Sequence, residues 1–350
     1  MRLHQLARNH HGQLQTTDQW HQRLPEENGF SNSGITVRSI GRSREGRTID
    51  AYDFGSGPIH VSIISGSHAD EPIGSETIRL LIETVLAGGG LPGSHLEACT
   101  FHVIPQINPD GEERNAEWMS NWPSVESYIQ NVVRELPGDD IEFGYPDMRP
   151  ENAAAVSYWN SIGTIDLHVS LHGMGYAEGV MLLIERHWTS RTQEIRDAYT
   201  RLAESMNLGL HTHNRKGEKG FFYIEDGYTT TPEGAAMRAH FSGLGETETA
   251  SLFHSSSMEF MRTLSADPLS LVTEIPLFAI RNSGSGTMIP ENYVELKKHL
   301  PEWKAEIDAG QSITDRLSSF ELRPVKIADA IALQLEAIEL GIETCARYRK

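Results

Sequence analysis

Ile59-His60-Val61-Ser62-Ile63-Ile64-Ser65-Gly66-Ser67-His68-Ala69-Asp70-Glu71 is the stretch on which the architecture turns. Ile59 to Ser65 is a nearly continuous apolar run, the pattern of a strand buried on both faces of a sheet. Gly66-Ser67 ends it, and Ile73 to Ala87 then takes up helical spacing until Gly88-Gly89-Gly90 closes the segment. The same alternation continues along the chain. Ile35 to Ile40 and Arg47 to Phe54 read as a hairpin around Gly41 to Gly46, and Cys99 to Ile107 as a strand. That strand ends at Asn108-Pro109-Asp110-Gly111, read as a turn. Glu151 to Ile162 predicts a helix that feeds a strand from Ile165 to Leu171. Further strands are expected at Val180 to Ile184 and Leu271 to Ile275, and helices at Arg191 to Met206, 232–241, 249–264, Asn292 to Asp308 and Lys326 to Arg347. Strands alternating with helices predict an α/β sheet.

Three strand ends carry groups able to do chemistry. His68 and Glu71 follow the first buried strand, at the sheet edge where ligands of α/β folds collect. An imidazole nitrogen and a carboxylate oxygen three residues apart on a turn can meet at one point, and both are zinc donors. In Asp166-Leu167-His168-Val169-Ser170-Leu171-His172-Gly173, side-chain alternation puts Asp166, His168, Ser170 and His172 on one face. Four polar groups there need partners, which a metal and its surroundings supply. His172 lies at the expected carboxyl end, and His168 about 13 Å further back at roughly 3.3 Å per residue. Glu274, in Thr273-Glu274-Ile275-Pro276, ends another apolar strand and reads as a metal ligand or a general base.

Whole-chain properties limit the alternatives. The chain has 350 residues, enough for one large α/β domain with added helices. The expected organisation is a lead-in at 1–33, a catalytic domain at 34–290 and a C-terminal helical extension at 291–350 packed on it. The formal net charge of −18 argues against nucleic acid as a partner. No apolar run reaches the roughly 18 residues of a membrane span, and Met1 to Gln15 lacks the apolar core of a secretory signal. With two cysteines, Cys99 and Cys345, a disulfide framework is not expected, and a cytoplasmic location is. Ile327, Ile331, Leu335, Ile338 and Ile342 form one helical stripe, for packing on the domain or for contact with another subunit.

In this order, Ser39 to Arg47, Gly66 to Gly74, Asn108-Pro109-Asp110-Gly111, Ser170-Leu171-His172-Gly173 and Thr273-Glu274 resemble the carboxypeptidase A-like zinc metallopeptidases over roughly residues 35–280. The resemblance implies a central mixed eight-stranded sheet between helices. It implies one zinc ion per chain held by His68, Glu71 and His172, and a zinc-activated water with Glu274 as general base. A peptide or amide bond is the expected target.

The pattern has a gap. Family members that trim C-terminal residues carry an Asn-Arg pair for the terminal carboxylate, and none follows Asn-Pro-Asp-Gly here. Arg114, and Asn131 with Arg134, are the candidates to replace it, because arginine suits bidentate carboxylate binding; Arg149 is a weaker one. His211 and His213, in the polar stretch 208–231, read as exposed loop histidines, and Tyr223 or Tyr228 as a substrate-binding phenol. The related branch of succinylglutamate desuccinylases and aspartoacylases fits at another register, through Asp166-Leu167-His168. That register makes His168 the ligand and N-acyl amino acids the substrates. A non-catalytic binding protein on this scaffold is the third reading.

Overall fold

The computed structural model describes residues 2–24, 30, 33–88, 90–282, 284 and 288–349. Its strands are β1 (Thr36–Arg42), β2 (Thr48–Gly55), β3 (Ile59–Ser65), β4 (Cys99–Ile104), β5 (Leu167–Ala177), β6 (Met181–Ile184), β7 (Tyr223–Glu225), β8 (Tyr228–Thr230), β9 (Leu269–Ala279) and β10 (Arg323–Pro324). They form one mixed sheet in the order β1-β2-β4-β3-β5-β9-β6-β8-β7, with β10 paired to β9. The β1–β2 hairpin is antiparallel, as its turn-rich connection predicts. The centre, β4-β3-β5-β9, is parallel. Central residues such as Val61, Ile63, Val103, Val169 and Leu271 are fully buried, which explains the continuous apolar runs.

The family resemblance implied eight strands, and among the described residues the sheet has ten. The strands not read from the sequence are β7, β8 and β10, which are three, three and two residues long. Elements so short cannot develop the alternation by which a strand is recognised. β5 also continues to Ala177 and β9 to Ala279, well past their expected ends, because the two pair in register from Leu167↔Leu269 to Ala177↔Ala279.

The longer helices are α1 (Ile73–Leu86), α2 (Pro109–Ser120), α3 (Val125–Asn131), α4 (Pro150–Ile162), α5 (Gln193–Ser205), α6 (Gly234–Gly243), α7 (Ser257–Leu264), α8 (Glu291–Asp308) and α9 (Ile327–Tyr348). Asn108-Pro109-Asp110-Gly111 opens α2, which corrects the reading of it as a turn. The Asn108 side chain accepts the Gly111 N–H at 3.1 Å, and Pro109 occupies the first helical position, where its missing N–H costs nothing. α9 packs across β3, β5 and β9. Its stripe of Ile331, Leu335, Ile338 and Ile342 is buried in the same core as the sheet. From α9, Gln334 Nε2 donates to the carbonyl of His172 and to Thr273 Oγ1, both at 3.3 Å, so the last helix braces the two strands that carry the site. Among the described residues no helix is long and apolar enough to cross a membrane, and both cysteines are buried and free.

Candidate metal centre

The chain leaves β3 through Gly66, whose φ of +79° is open to glycine and strained for other residues. A Cβ there would also stand 1.7 Å from Gln106 Oε1. The turn that follows, closed by Glu71 N–H on the His68 carbonyl at 3.3 Å, aims both side chains at the neighbouring strand. That strand is β5, where His172 pairs in register with Glu274 of β9, so both project from one face.

Three donor groups converge. His68 Nδ1 lies 3.0 Å from Glu71 Oε1, His172 Nδ1 lies 2.9 Å from Glu71 Oε2, and the two Nδ1 atoms are 3.0 Å apart. Donors at about 2.0–2.1 Å from one tetrahedral zinc ion stand roughly 3.3 Å from each other, so the observed spacing is close to what zinc requires. The far side of each ring provides a second test. His68 Nε2 faces Asp140 Oδ1 at 3.4 Å, and His172 Nε2 faces Glu142 Oε2 at 3.2 Å and Ser170 Oγ at 2.9 Å. Acceptors there hold the ring proton on Nε2 and leave the Nδ1 lone pair directed inward, the arrangement of a metal-binding histidine. Arg134, which can only donate, points Nη2 at His68 Nδ1 at 2.8 Å, in agreement with a lone pair at that atom. The two histidines and one carboxylate therefore fit zinc in donor type, spacing and tautomer.

The field at this point favours positive charge. Burial works against protonation of His172, but hydrogen bonds to Glu142 and Glu71 overcome it and raise the imidazole to about 9. Burial acts to raise Glu71, yet the charges of His68 and Arg134 hold it well below the usual carboxylate range. Glu142 and Asp140 are likewise lowered against their burial, Glu142 by its hydrogen bond to His172 and Asp140 by the charge of His68. Two rings cannot both carry a proton on Nδ1 atoms 3.0 Å apart, so the cluster suits a single shared cation. Glu274 behaves differently: burial first, and then the Glu71 carboxylate, push it up to about 7. A carboxyl poised near neutrality can accept and return a proton.

His68, His172 and Glu274 open onto a cavity of about 850 Å³, also lined by Arg134, Asp140, Glu142 and a set of aromatic and methionine side chains. Of the arginine candidates, Arg134 alone is at the cluster, with Nη1 donating to Glu71 Oε1 at 2.7 Å and to both Asp70 oxygens at 3.2 and 3.3 Å. Arg114 is exposed on α2 and paired with Glu45, away from the cavity lining. Asn131 closes α3 with its amide on the Ser127 carbonyl at 3.0 Å. Arg149 is buried against Glu151 at 2.7 Å. His168 is fully buried between Ser62 Oγ at 3.1 Å and Ser257 Oγ at 3.2 Å, and burial lowers it to about 4. The cluster thus assembles around His172 and leaves His168 in the core.

Two other expectations are corrected. His211 is 2% exposed, because the bridge between Val180 and Leu210 draws its segment against the sheet. Tyr228 is buried, with its hydroxyl donating to the Arg196 carbonyl at 2.7 Å, and Tyr223 bonds Asp226 at 2.8 Å; neither lines the cavity. Sequence reasoning passed over Asp140 and Glu142. The signal for them was present but weak: two acids two residues apart, in a stretch without helical or strand periodicity.

A family model described as zinc carboxypeptidase matches residues 29–236, more than half of the chain, and stops short of Glu274. Carboxypeptidase Z of Gallus gallus is 27% identical over 174 residues, 39% of this chain and 27% of that protein. An inactive metallocarboxypeptidase of Uncinocarpus reesii is 26% identical over 121 residues, 31% of this chain and 20% of that protein. The carboxypeptidase A of Helicoverpa armigera superposes with a TM-score of 0.52 at 12% identity, covering 96% of this chain and 74% of that one, a likeness of fold. The chain spans less than a third of the length of the curated relatives it matches.

Proposed function

The chain belongs to the zinc carboxypeptidase family, and from that premise we propose that it is a zinc-dependent hydrolase of peptide or other amide bonds. His68 Nδ1, Glu71 and His172 Nδ1 hold the ion, and Asp140 and Glu142 fix the two rings by accepting their Nε2 protons. Zinc so bound supplies Lewis acidity toward a carbonyl oxygen and makes water a competent nucleophile near neutral pH. Glu274, beside His172 on the next strand, takes the proton from the attacking water and delivers it to the leaving amine. Arg134 steadies Glu71 and Asp70, and its position at the cluster suits it to stabilise negative charge that develops on the scissile carbonyl. The substrate is a peptide or an N-acyl amino acid.

One observation carries this reading: both Nδ1 atoms and the Glu71 carboxylate meet within 3.0 Å, while both Nε2 atoms face acceptors. It is tested by elemental analysis and an amide-hydrolysis screen of the purified protein beside His172→Ala and His168→Ala. About one zinc per chain, lost with His172→Ala and kept with His168→Ala, is the expected outcome. Zinc lost only with His168→Ala would transfer the ligand role to that residue. A wild type that takes up no zinc would overturn the hydrolase reading.

A further inference from the structure

On the face of β5 that carries His172, Ser170 and His168 continue the line toward the start of the strand. The hydrolase reading gives His168 no task. It is nonetheless fully buried, together with Ser62, its register partner on β3, and Ser257 at the start of α7. Polar groups so deep in the core need hydrogen bonds to offset the cost of leaving water.

Those bonds lead without a break to the metal cluster. Glu142 presents Oε2 to His172 Nε2 at 3.2 Å and turns Oε1 toward α7. There the Ser257 N–H donates to it at 3.2 Å and the Ser257 hydroxyl at 3.0 Å. The Ser257 oxygen stands 3.2 Å from His168 Nε2, and His168 Nδ1 stands 3.1 Å from the Ser62 hydroxyl. None of Ser62, His168 and Ser257 lines the cavity, so the chain of bonds runs behind its wall.

The direction of each bond is forced. An ionised Glu142 only accepts, so the Ser257 hydroxyl donates to it. The lone pairs left on that oxygen require a donor from His168. Burial lowers His168 to about 4, so the ring is neutral, with its one proton on Nε2. Nδ1 then accepts from Ser62. The Ser257 hydroxyl has a second acceptor in reach, Met258 Sδ at 3.1 Å. The donor arriving from His168 occupies one side of the oxygen and turns its proton to Glu142. His68 is backed differently, by half-buried Asp140, which also takes the Glu142 N–H at 2.9 Å.

Filling this space with apolar groups would be nearly neutral for stability; what the chain of bonds supplies is orientation. We propose that His168 is a positioning residue for the metal centre, acting through Ser257 and Glu142 to hold the His172 ring with its Nδ1 lone pair inward. The proposal rests on the reading of His68, Glu71 and His172 as a zinc site.

The test is zinc affinity of the full chain, measured by competition with a chelator. It compares wild type, His168→Phe, His168→Gln, Ser257→Ala and the double variant of His168→Phe with Ser257→Ala. His168→Phe keeps a ring and loses both ring nitrogens, whereas His168→Gln returns an amide N–H₂ toward Ser257. The expected loss is about tenfold in His168→Phe and in Ser257→Ala, the lower end of what removing an outer partner of a metal ligand costs. The double variant loses no more than either single one, because both act through the same bonds. His168→Gln recovers most of the affinity, and with excess zinc every variant still fills. In the cobalt-substituted protein the visible bands shift in His168→Phe and return in His168→Gln, a change that packing alone does not produce. Nitrogen NMR of the wild type shows His168 protonated on Nε2. Unchanged affinity in both single variants, losses that multiply in the double variant, or a His168 protonated on Nδ1 overturns the assignment. If His168→Phe does not fold, Ser257→Ala and the NMR tautomer decide. A wild type that binds no zinc sinks the metal reading and this role with it, whereas zinc bound equally by all variants sinks the role of His168 alone.

Discussion

Two histidine–glutamate clusters in this protein have the same composition and opposite chemistry. One is His68, Glu71 and His172; the other is His10, His11 and Glu76, on the N-terminal segment and α1. In both, the nearest donor atoms lie within 4.8 Å of one another. The difference is in the ring nitrogens turned away. At the first cluster they face Asp140 and Glu142, so the lone pairs point inward. At the second, His10 Nδ1 accepts from the Gly12 N–H at 3.0 Å and His11 Nδ1 from the Gln13 N–H at 3.1 Å. At His10 the lone pair is taken by backbone, so the proton sits on the Nε2 that faces Glu76. His10 Nε2 then serves as a donor to Glu76 at 3.0 Å and fastens the N-terminal segment to α1. Proximity of donors does not make a metal site; the partner of the second nitrogen decides whether a ring offers a lone pair or a proton.

The sharpest way to break this contrast is to remove candidate donors from each cluster in turn. Glu71→Ala is expected to strip zinc and hydrolysis together, a larger loss than the roughly 10–100-fold that an outer-shell change costs. His10→Ala with His11→Ala is expected to keep one zinc per chain. A fall in zinc content in that double variant, read by elemental analysis, would show that tautomer does not separate the two.

Next in size is Glu274→Gln, expected to lower kcat by about 10²–10⁴-fold with zinc content unchanged. The wild-type pH profile tests the same group. Glu274 must be ionised to accept a proton, so the rate rises as pH climbs through its pKa. Burial and Glu71 set that near about 7, and a dication at the cluster pulls it down. The acid limb should therefore have its midpoint at or below about 7, and an acid limb centred clearly above it would remove Glu274 from the role.

Glu142→Gln should weaken zinc binding by about 10–100-fold, because an amide that turns its N–H₂ toward His172 no longer secures the Nε2 proton. Competition with a chelator measures it, and an unchanged affinity would demote Glu142 to packing. The smallest effect is His10→Gln, a stability loss of about 1–3 kcal/mol from the lost bond to buried Glu76, read by urea unfolding at constant zinc affinity.

The two clusters also show what was readable. His68 and Glu71 stood out because a buried strand, a glycine and two donors follow within thirteen residues. His172 was separable from His168 by its place at the expected carboxyl end of the strand, directly before Gly173. Glu142 and Asp140 went unnoticed because an irregular stretch has no period from which a side chain's direction follows. Arg134 looked like a substrate-binding group, and its commitment to Asp70 and Glu71 arises from residues more than sixty positions earlier. His211 was misjudged for the same kind of reason, since Val180, just before β6, and the Tyr293 ring that pack against its segment are remote in sequence.

By itself, then, the sequence determined the α/β class, the order of the site-bearing strands, and the candidate donor side chains on or just after them, because hydrophobic period and turn chemistry act over a few residues. Which acids back the two imidazoles and which arginine reaches the cluster were decided by the tertiary structure alone. Those choices depend on contacts between segments far apart in the chain, and hydrogen-bond direction exists only once both partners are in place.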